Sequence, residues 1–256
     1  HEDSQGNLWI GTMNGLNRYN RAKNNFKRYY ADKNDENTLL SNTISDILED
    51  SQGNVWIVAG CLCLYNREKD NFIRFPTGLN DLATAYINFV YEDHKGNLWF
   101  GRDQDLFIFD RKSQKFRHII KSSEIQLSDG VWDYRDIVQD SSGTYWLVTE
   151  GAGIYTFHYD KKISNLIKYD DNYNLDTFIL PKIYLDSKNN LWIASENAGL
   201  FLIEPNRQNI ICLNNNPGNE NTVSSNSIWS IYEDRTGRIW FGTFESKFDF
   251  IDPYYH

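Results

Sequence analysis

An all-β fold made from one repeated unit is what the sequence predicts, on three observations. First, a nine-residue text recurs six times: Glu2-Asp3-Ser4-Gln5-Gly6-Asn7-Leu8-Trp9-Ile10, then residues 49–57, 92–100, 139–147, 185–193 and 233–241, with Asp six residues before Trp in every copy. Second, these Trp stand at positions 9, 56, 99, 146, 192 and 240, spacings of 47, 43, 47, 46 and 48. That period suits β-propeller blades or HEAT and armadillo helices. Third, a full unit holds four short apolar runs separated by Gly, Asn, Asp and Ser clusters, without long helical periodicity, which decides for strands. Four antiparallel strands per unit, repeated radially, make a β-propeller.

The last unit shows the order of elements. Residues 227–233 form strand A, 234–237 a tight turn in which Gly237 supplies a positive φ, 238–242 strand B and 247–251 strand C. In the earlier units strand C falls at 15–19, 62–65, 105–109, 153–157 and 199–203. Strand D follows at 25–29, 71–75, 115–119, 163–169 and 208–213. Strand A is apolar on both faces near its end, at Ile44, Ile47, Leu48, Ile137 and Val138, as suits an innermost strand between two blades. The Trp of strand B fills the space between neighbouring sheets. Because A and B are antiparallel, the Asp turn lies at one end of the blade. The long D-to-A connections and the B-to-C turns lie at the other. Residues 1–256 supply strands B, C and D of a first blade, four complete blades, and A, B and C of a last. The expectation is that another segment or partner completes the ring.

Composition narrows the function. A formal net charge of −9 argues against nucleic acid, which needs a basic stripe to neutralise phosphate, and against an anionic membrane surface. No apolar run reaches the ~18–20 residues of a membrane span. Cys61, Cys63 and Cys212 lack metal-ligand spacing and read as small buried hydrophobes. The repeated Asp-x-x-Gly lacks the further carboxylates and distal Glu of a calcium loop. It reads as a hairpin turn whose Asp accepts backbone N–H bonds. No metal or cofactor is expected. The five His sit in no nucleophile or metal motif.

The repeated text, with residues 228–243 as its fullest copy and Trp9-Ile10-Gly11-Thr12-Met13-Asn14-Gly15-Leu16 close behind, resembles the two-component regulator propeller repeat over essentially the whole chain. Departures stand at Val58-Ala59-Gly60-Cys61, at Val148-Thr149-Glu150-Gly151 and at Ala194-Ser195, where altered B-to-C turns are expected. The resemblance implies a part of a seven-bladed ring in the periplasmic sensor of a hybrid two-component histidine kinase. It also implies recognition of a glycan fragment and homodimeric signalling to a kinase outside these residues. In that reading the chain itself is not an enzyme. A propeller lyase or glycosidase, and a purely structural dimerisation scaffold, are the alternatives.

Repeated positions hold the fold, so positions that vary between copies are the candidate site. Five residues before the repeat Asp stand Ser45, Asn88, Arg135, Pro181 and Trp229, and eight before it Asn42, Ala85, Trp132, Phe178 and Asn226. Trp132, Tyr134, Phe178 and Trp229 offer aromatic faces for sugar rings, with packing between blades as the alternative. Arg135 offers a guanidinium for a carboxylate or sulfate, and Arg102, after Trp99, another. Glu150, Glu196 and Glu245 occupy B-to-C turns at the same end. Paired carboxylates can serve a glycosidase, but hydrogen bonding to a ligand or plain solvation is the simpler role.

Overall fold

The computed structural model describes residues 1–75, 87–121, 133–159, 167–168, 173–244 and 248–252. They form six antiparallel sheets, each made of strands consecutive in the chain. The first is β1 (Leu8–Thr12), β2 (Gly15–Asn20) and β3 (Asn25–Tyr29). The second is β4 (Asp46–Glu49), β5 (Val55–Val58), β6 (Leu62–Asn66) and β7 (Asn71–Phe75). The third is β8 (Ile87–Glu92), β9 (Leu98–Arg102), β10 (Asp105–Asp110) and β11 (Lys115–Ile120). The fourth is β12 (Tyr134–Gln139), β13 (Tyr145–Thr149), β14 (Ile154–Phe157) and β15 (Ile167–Lys168). The fifth is β16 (Lys182–Leu185), β17 (Leu191–Ala194), β18 (Leu200–Ile203) and β19 (Ile210–Leu213). The sixth is β20 (Ile228–Glu233), β21 (Ile239–Thr243) and β22 (Phe248–Ile251). One 3-10 turn, Leu175–Thr177, is the sole helical element among the described residues. Residues 1–121, with β1–β11, form one compact unit, and residues 122–256, with β12–β22, form the other.

The repeated text builds the A-to-B hairpin of each sheet. In the second sheet Asp50 N–H donates to the Asn54 carbonyl and Gly53 N–H to the Asp50 carbonyl, both at 2.9 Å. The turn needs a residue at positive φ. Five copies use glycine, Gly53 at 79° for instance, and the fifth copy uses Asn189 at 65°, the residue type that best tolerates this region without being glycine. The Asp carboxylate sits inside the turn, where Asp50 Oδ1 accepts the Gln52 and Asn54 N–H groups, each at 2.9 Å. Its other oxygen accepts the indole N–H of Trp56 at 2.6 Å. The same Asp–Trp bond recurs in all six sheets, so the invariant spacing of six is a covalent measure of one hydrogen bond.

Within each unit the indole packs against the following sheet. Trp9 packs edge-on against Tyr65 at 4.7 Å and Trp56 against Phe109 at 5.5 Å. In the second unit Trp192 packs against Phe241 at 5.8 Å. The core is accordingly a series of slabs between sheets rather than a single centre. Trp56, Val58, Leu62 and Phe75 of the second sheet close on Ile87, Val90, Leu98, Phe100 and Phe107 of the third. Cys61 and Cys63 are free thiols buried in the slab between the first and second sheets.

Candidate functional site

At the end opposite the Asp turns, B-to-C turns and D-to-A connections are tied together by main-chain bonds. In the second unit Glu150 N–H donates to the Asp133 carbonyl at 3.0 Å and Gly151 N–H to the Phe178 carbonyl at 3.1 Å. Glu196 N–H donates to the Ile179 carbonyl at 2.9 Å and Gly199 N–H to the Asn226 carbonyl at 2.8 Å. The B-to-C turns of the fourth and fifth sheets are one residue longer than that of the first. Thr12 Oγ1 reaches the carbonyl of Gly15, three residues on, whereas Thr149 Oγ1 and Ser195 Oγ reach Gly153 and Gly199, four residues on. The departures of the sequence at these turns thus have a structural counterpart, and the longer turns are the ones that carry Glu150 and Glu196.

Strand A adds the second feature. Its pairing with strand B slips by one residue at Ile87/Phe89, at Tyr134/Asp136 and at Ile228/Ser230. The residues inserted at these bulges are Asn88, Arg135 and Trp229, three of the positions that vary five residues before the Asp. A bulge leaves one residue out of the ladder and re-aims its side chain, which frees that position from the packing that holds its neighbours constant.

The individual candidates fall in different surroundings. Arg135 lies 3.6 Å from Glu150 Oε2 and 3.9 Å from Asp133 Oδ2. Trp229 is 37% exposed beside Phe244, which is 74% exposed, with ring centroids 6.2 Å apart. Phe178 is half-buried, 6.5 Å from Phe201. Tyr134 is fully buried and so takes the packing role rather than that of a presented aromatic. Arg102 belongs to the first unit, at the end of β9, 3.8 Å from Asp103. Trp132 and Glu245 lie outside the described residues.

Phe178 and the Glu196 turn border a recess of about 270 Å³ lined by Tyr173, Phe178, Asn197, Ala198, Phe201, Cys212, Asn214 and Asn226. Three aromatic residues and three asparagines therefore line one space. Asn226 Oδ1 accepts the Asn215 N–H at 2.7 Å and Asn214 Oδ1 the Cys212 thiol at 2.8 Å, so the acceptor atom of each amide is engaged by the protein. Burial pushes the Cys212 thiol above its ordinary range, so the wall stays uncharged there. Among the described residues no cluster of His, Cys, Asp and Glu is arranged to hold a metal ion.

The residues that sequence reasoning missed are at the other end. Arg67 donates to Asp3 Oδ2 and to Glu49 Oε1, each at 3.0 Å. Arg111 does the same one sheet later, to Asp50 Oδ2 at 2.7 Å and Glu92 Oε1 at 2.6 Å. Arg207 approaches Asp140 at 3.4 Å. Each such arginine follows strand C of one sheet and clasps the turn of the sheet before it. Glu49 in turn accepts the Ser4 N–H and hydroxyl, and Glu92 and Glu233 accept those of Ser51 and Ser187. The signal was present as Glu-Asp-Ser and as Arg after strand C, but only the contact across sheets gives it meaning.

Three segments, residues 1–14, 38–59 and 222–245, match the family model described as two component regulator propeller. No curated protein matches the chain. Among solved structures, the extracellular domain of a hybrid two-component system from B. thetaiotaomicron is similar at a TM-score of 0.77 and 22% identity, over 97% of this chain and 32% of that one. A second such domain from the same organism is similar at 0.60 and 19%, over 96% and 38%. A gluconolactonase from Xanthomonas campestris is similar at 0.64 and 9%, over 94% and 80%. The chain spans about a third of the length of the two sensor domains, and at these identities the likeness is one of fold. The family match falls on copies of the repeated text, so these three segments are similar to the two component regulator propeller.

Proposed function

We propose that the chain is a ligand-recognising propeller of an extracytoplasmic two-component sensor, not itself an enzyme, and that its ligand is an oligosaccharide fragment. The observation that carries this reading is the recess of Tyr173, Phe178, Asn197, Asn214 and Asn226. Aromatic faces cover the apolar face of a sugar ring and amides pair with its hydroxyls. Arg135, re-aimed by its bulge, is the group for an acidic or sulfated substituent. Similarity to extracellular domains of two-component systems supports a periplasmic setting and a sensing role, with ligand changing the packing of a sensor dimer. The lactonase similarity alone does not favour catalysis, because Glu150 stands paired with Arg135.

Thermal shift and titration calorimetry of the chain against a panel of neutral, uronic and sulfated oligosaccharides test the reading. At least one oligosaccharide is expected to bind, with Phe178→Ala weakening it tenfold or more. A panel without any binder overturns the glycan assignment.

A further inference from the structure

The turn between β5 and β6 departs from the repeated text and carries a Cys-x-Cys pair. Ala59 N–H donates to the Cys61 carbonyl at 3.0 Å across Gly60, whose φ of 75° makes the bend. The last rung between the two strands joins Val58 and Leu62. Cys61 therefore lies in the bend and Cys63 in β6. The two side chains meet, with their sulfurs 3.5 Å apart. Both thiols are free, and both are buried, Cys61 at 3% and Cys63 at 0% exposure.

The two sulfurs are not equivalent. Cys63 sits inside the sheet, opposite Ile57 on β5 and Arg74 on β7, with a ladder on either side. Cys61 adjoins the exposed Gly60. The connection packed on this bend is itself at the surface, for Ser41 N–H donates to the Ala59 carbonyl at 3.0 Å and Leu40 is 48% exposed. Opening one turn uncovers Cys61, and turns open locally at far lower cost than paired strands. Reaching Cys63 first would require two ladders to part. The electrostatics run the same way. The hydrogen bond from Cys63, helped by the Arg74 charge, holds the Cys61 thiol below its ordinary range in spite of burial. The same bond and complete burial push the Cys63 thiol well above its own. An outer thiol poised as thiolate with a protonated thiol behind it is the order of groups that thiol–disulfide exchange uses.

We infer that Cys61 and Cys63 form a thiol–disulfide exchange site, with Cys61 as the attacking sulfur, Cys63 as the resolving one and a low-molecular-weight disulfide as co-substrate. In the first step the Cys61 thiolate, its proton released to solvent, attacks one sulfur of the external disulfide. The external S–S bond breaks, and the other sulfur leaves and takes up a proton as a thiol. In the second step Cys63 loses its proton and attacks Cys61 Sγ. The mixed S–S bond breaks and a second external thiol leaves. Two electrons pass from the protein to the disulfide, and the products are one Cys61–Cys63 bond and two external thiols. The sulfurs close from 3.5 Å to the about 2 Å of an S–S bond. A ring closed over three residues is strained, so the bond is readily reduced and the exchange reversible. The site belongs to the first unit and shares no residue with the recess of the second, so its test is independent of the proposed ligand.

The probe is oxidised glutathione, incubated with the native full chain. The reaction is quenched in acid and free thiols are alkylated in denaturant before the peptide bearing both cysteines is examined by mass spectrometry. The expected product is that peptide lighter by two hydrogens, alkylated at neither cysteine, and restored by dithiothreitol. Cys63→Ser is expected to stop at a glutathione adduct on Cys61. Cys61→Ser is expected to leave Cys63 at least tenfold slower to react. A wild-type peptide that remains alkylated at both cysteines after exhaustive oxidation overturns the assignment. So does one that carries glutathione without bridging, or a Cys63 that reacts as fast as Cys61. The wild-type readouts do not depend on how either variant folds.

Discussion

Five donors converge on the carboxylate of Asp50: the N–H groups of Gln52 and Asn54, the Asn54 amide, the Trp56 indole and the Arg111 guanidinium. Burial pushes its pKa up, but the bonds from Trp56 and Asn54 and the charge of Arg111 outweigh it and hold the carboxyl below its usual range. The residue ties its own turn, its own indole and the following sheet into one network. Asp50→Ala leaves a buried indole N–H without its acceptor and removes one of the two carboxylates that hold the Arg111 guanidinium. Breaking a buried charge pair of this kind costs about 3–5 kcal/mol, and urea unfolding of the variant should show a loss of that order with an unchanged m-value. Sequence reading recognised the Asp as a turn residue. It did not see the indole bond, although the constant spacing of six recorded it.

In the second, third and fourth sheets, the residue two after the Trp corresponds to what strand A places opposite. Gly101 on β9 faces Phe89, and a Cβ at Gly101 would come within 2.5 Å of Phe89 Cε1. Phe89 is 1% exposed and cannot swing away. Where valine replaces glycine, at Val58 and Val148, the opposite residues are Asp46 and Asp136. Their carboxylates turn aside to accept N–H groups of the next sheet, Val90 at 3.0 Å and Ile183 at 3.1 Å. Gly101→Ala should therefore destabilise the chain by about 1–3 kcal/mol, the usual cost of overpacking a filled interior, measured by thermal or urea unfolding. The departures from the repeat text were legible as departures. The reason for them was not, because the opposing residue lies a hairpin away and its register includes a bulge.

At the scale of the whole molecule, acid is the condition that tests the network of aspartates. Asp70 accepts the hydroxyls of Tyr29 and Tyr65 and pairs with Lys27. Burial raises its pKa, but these bonds and the Arg18 charge hold it at about 2. Asp3, Asp50 and Asp140 are lowered as well, in each case by hydrogen bonds that outweigh burial. A carboxyl whose folded pKa lies below its unfolded value, near 3.9 for Asp, contributes stability that is present above the unfolded pKa. That stability is lost as pH falls through the folded one. The melting temperature should hold level near neutrality and fall between about pH 4 and pH 2. A melting temperature independent of pH across that window would contradict this account.

Taken alone, the sequence determined the all-β repeat, the place of the turns, the Trp between sheets and the variable positions of strand A, because each follows from local spacing and the two-residue period of a strand. It did not determine which variable side chains are presented and which are buried. Tyr134 and Arg135 are neighbours in the chain, yet one is fully buried and the other sits at a bulge beside Glu150. The arginine clasps and the recess beside Phe178 were likewise decided only by the tertiary structure. Each of them is made by residues from different sheets or connections, and their meeting depends on register and bulges that periodicity does not record.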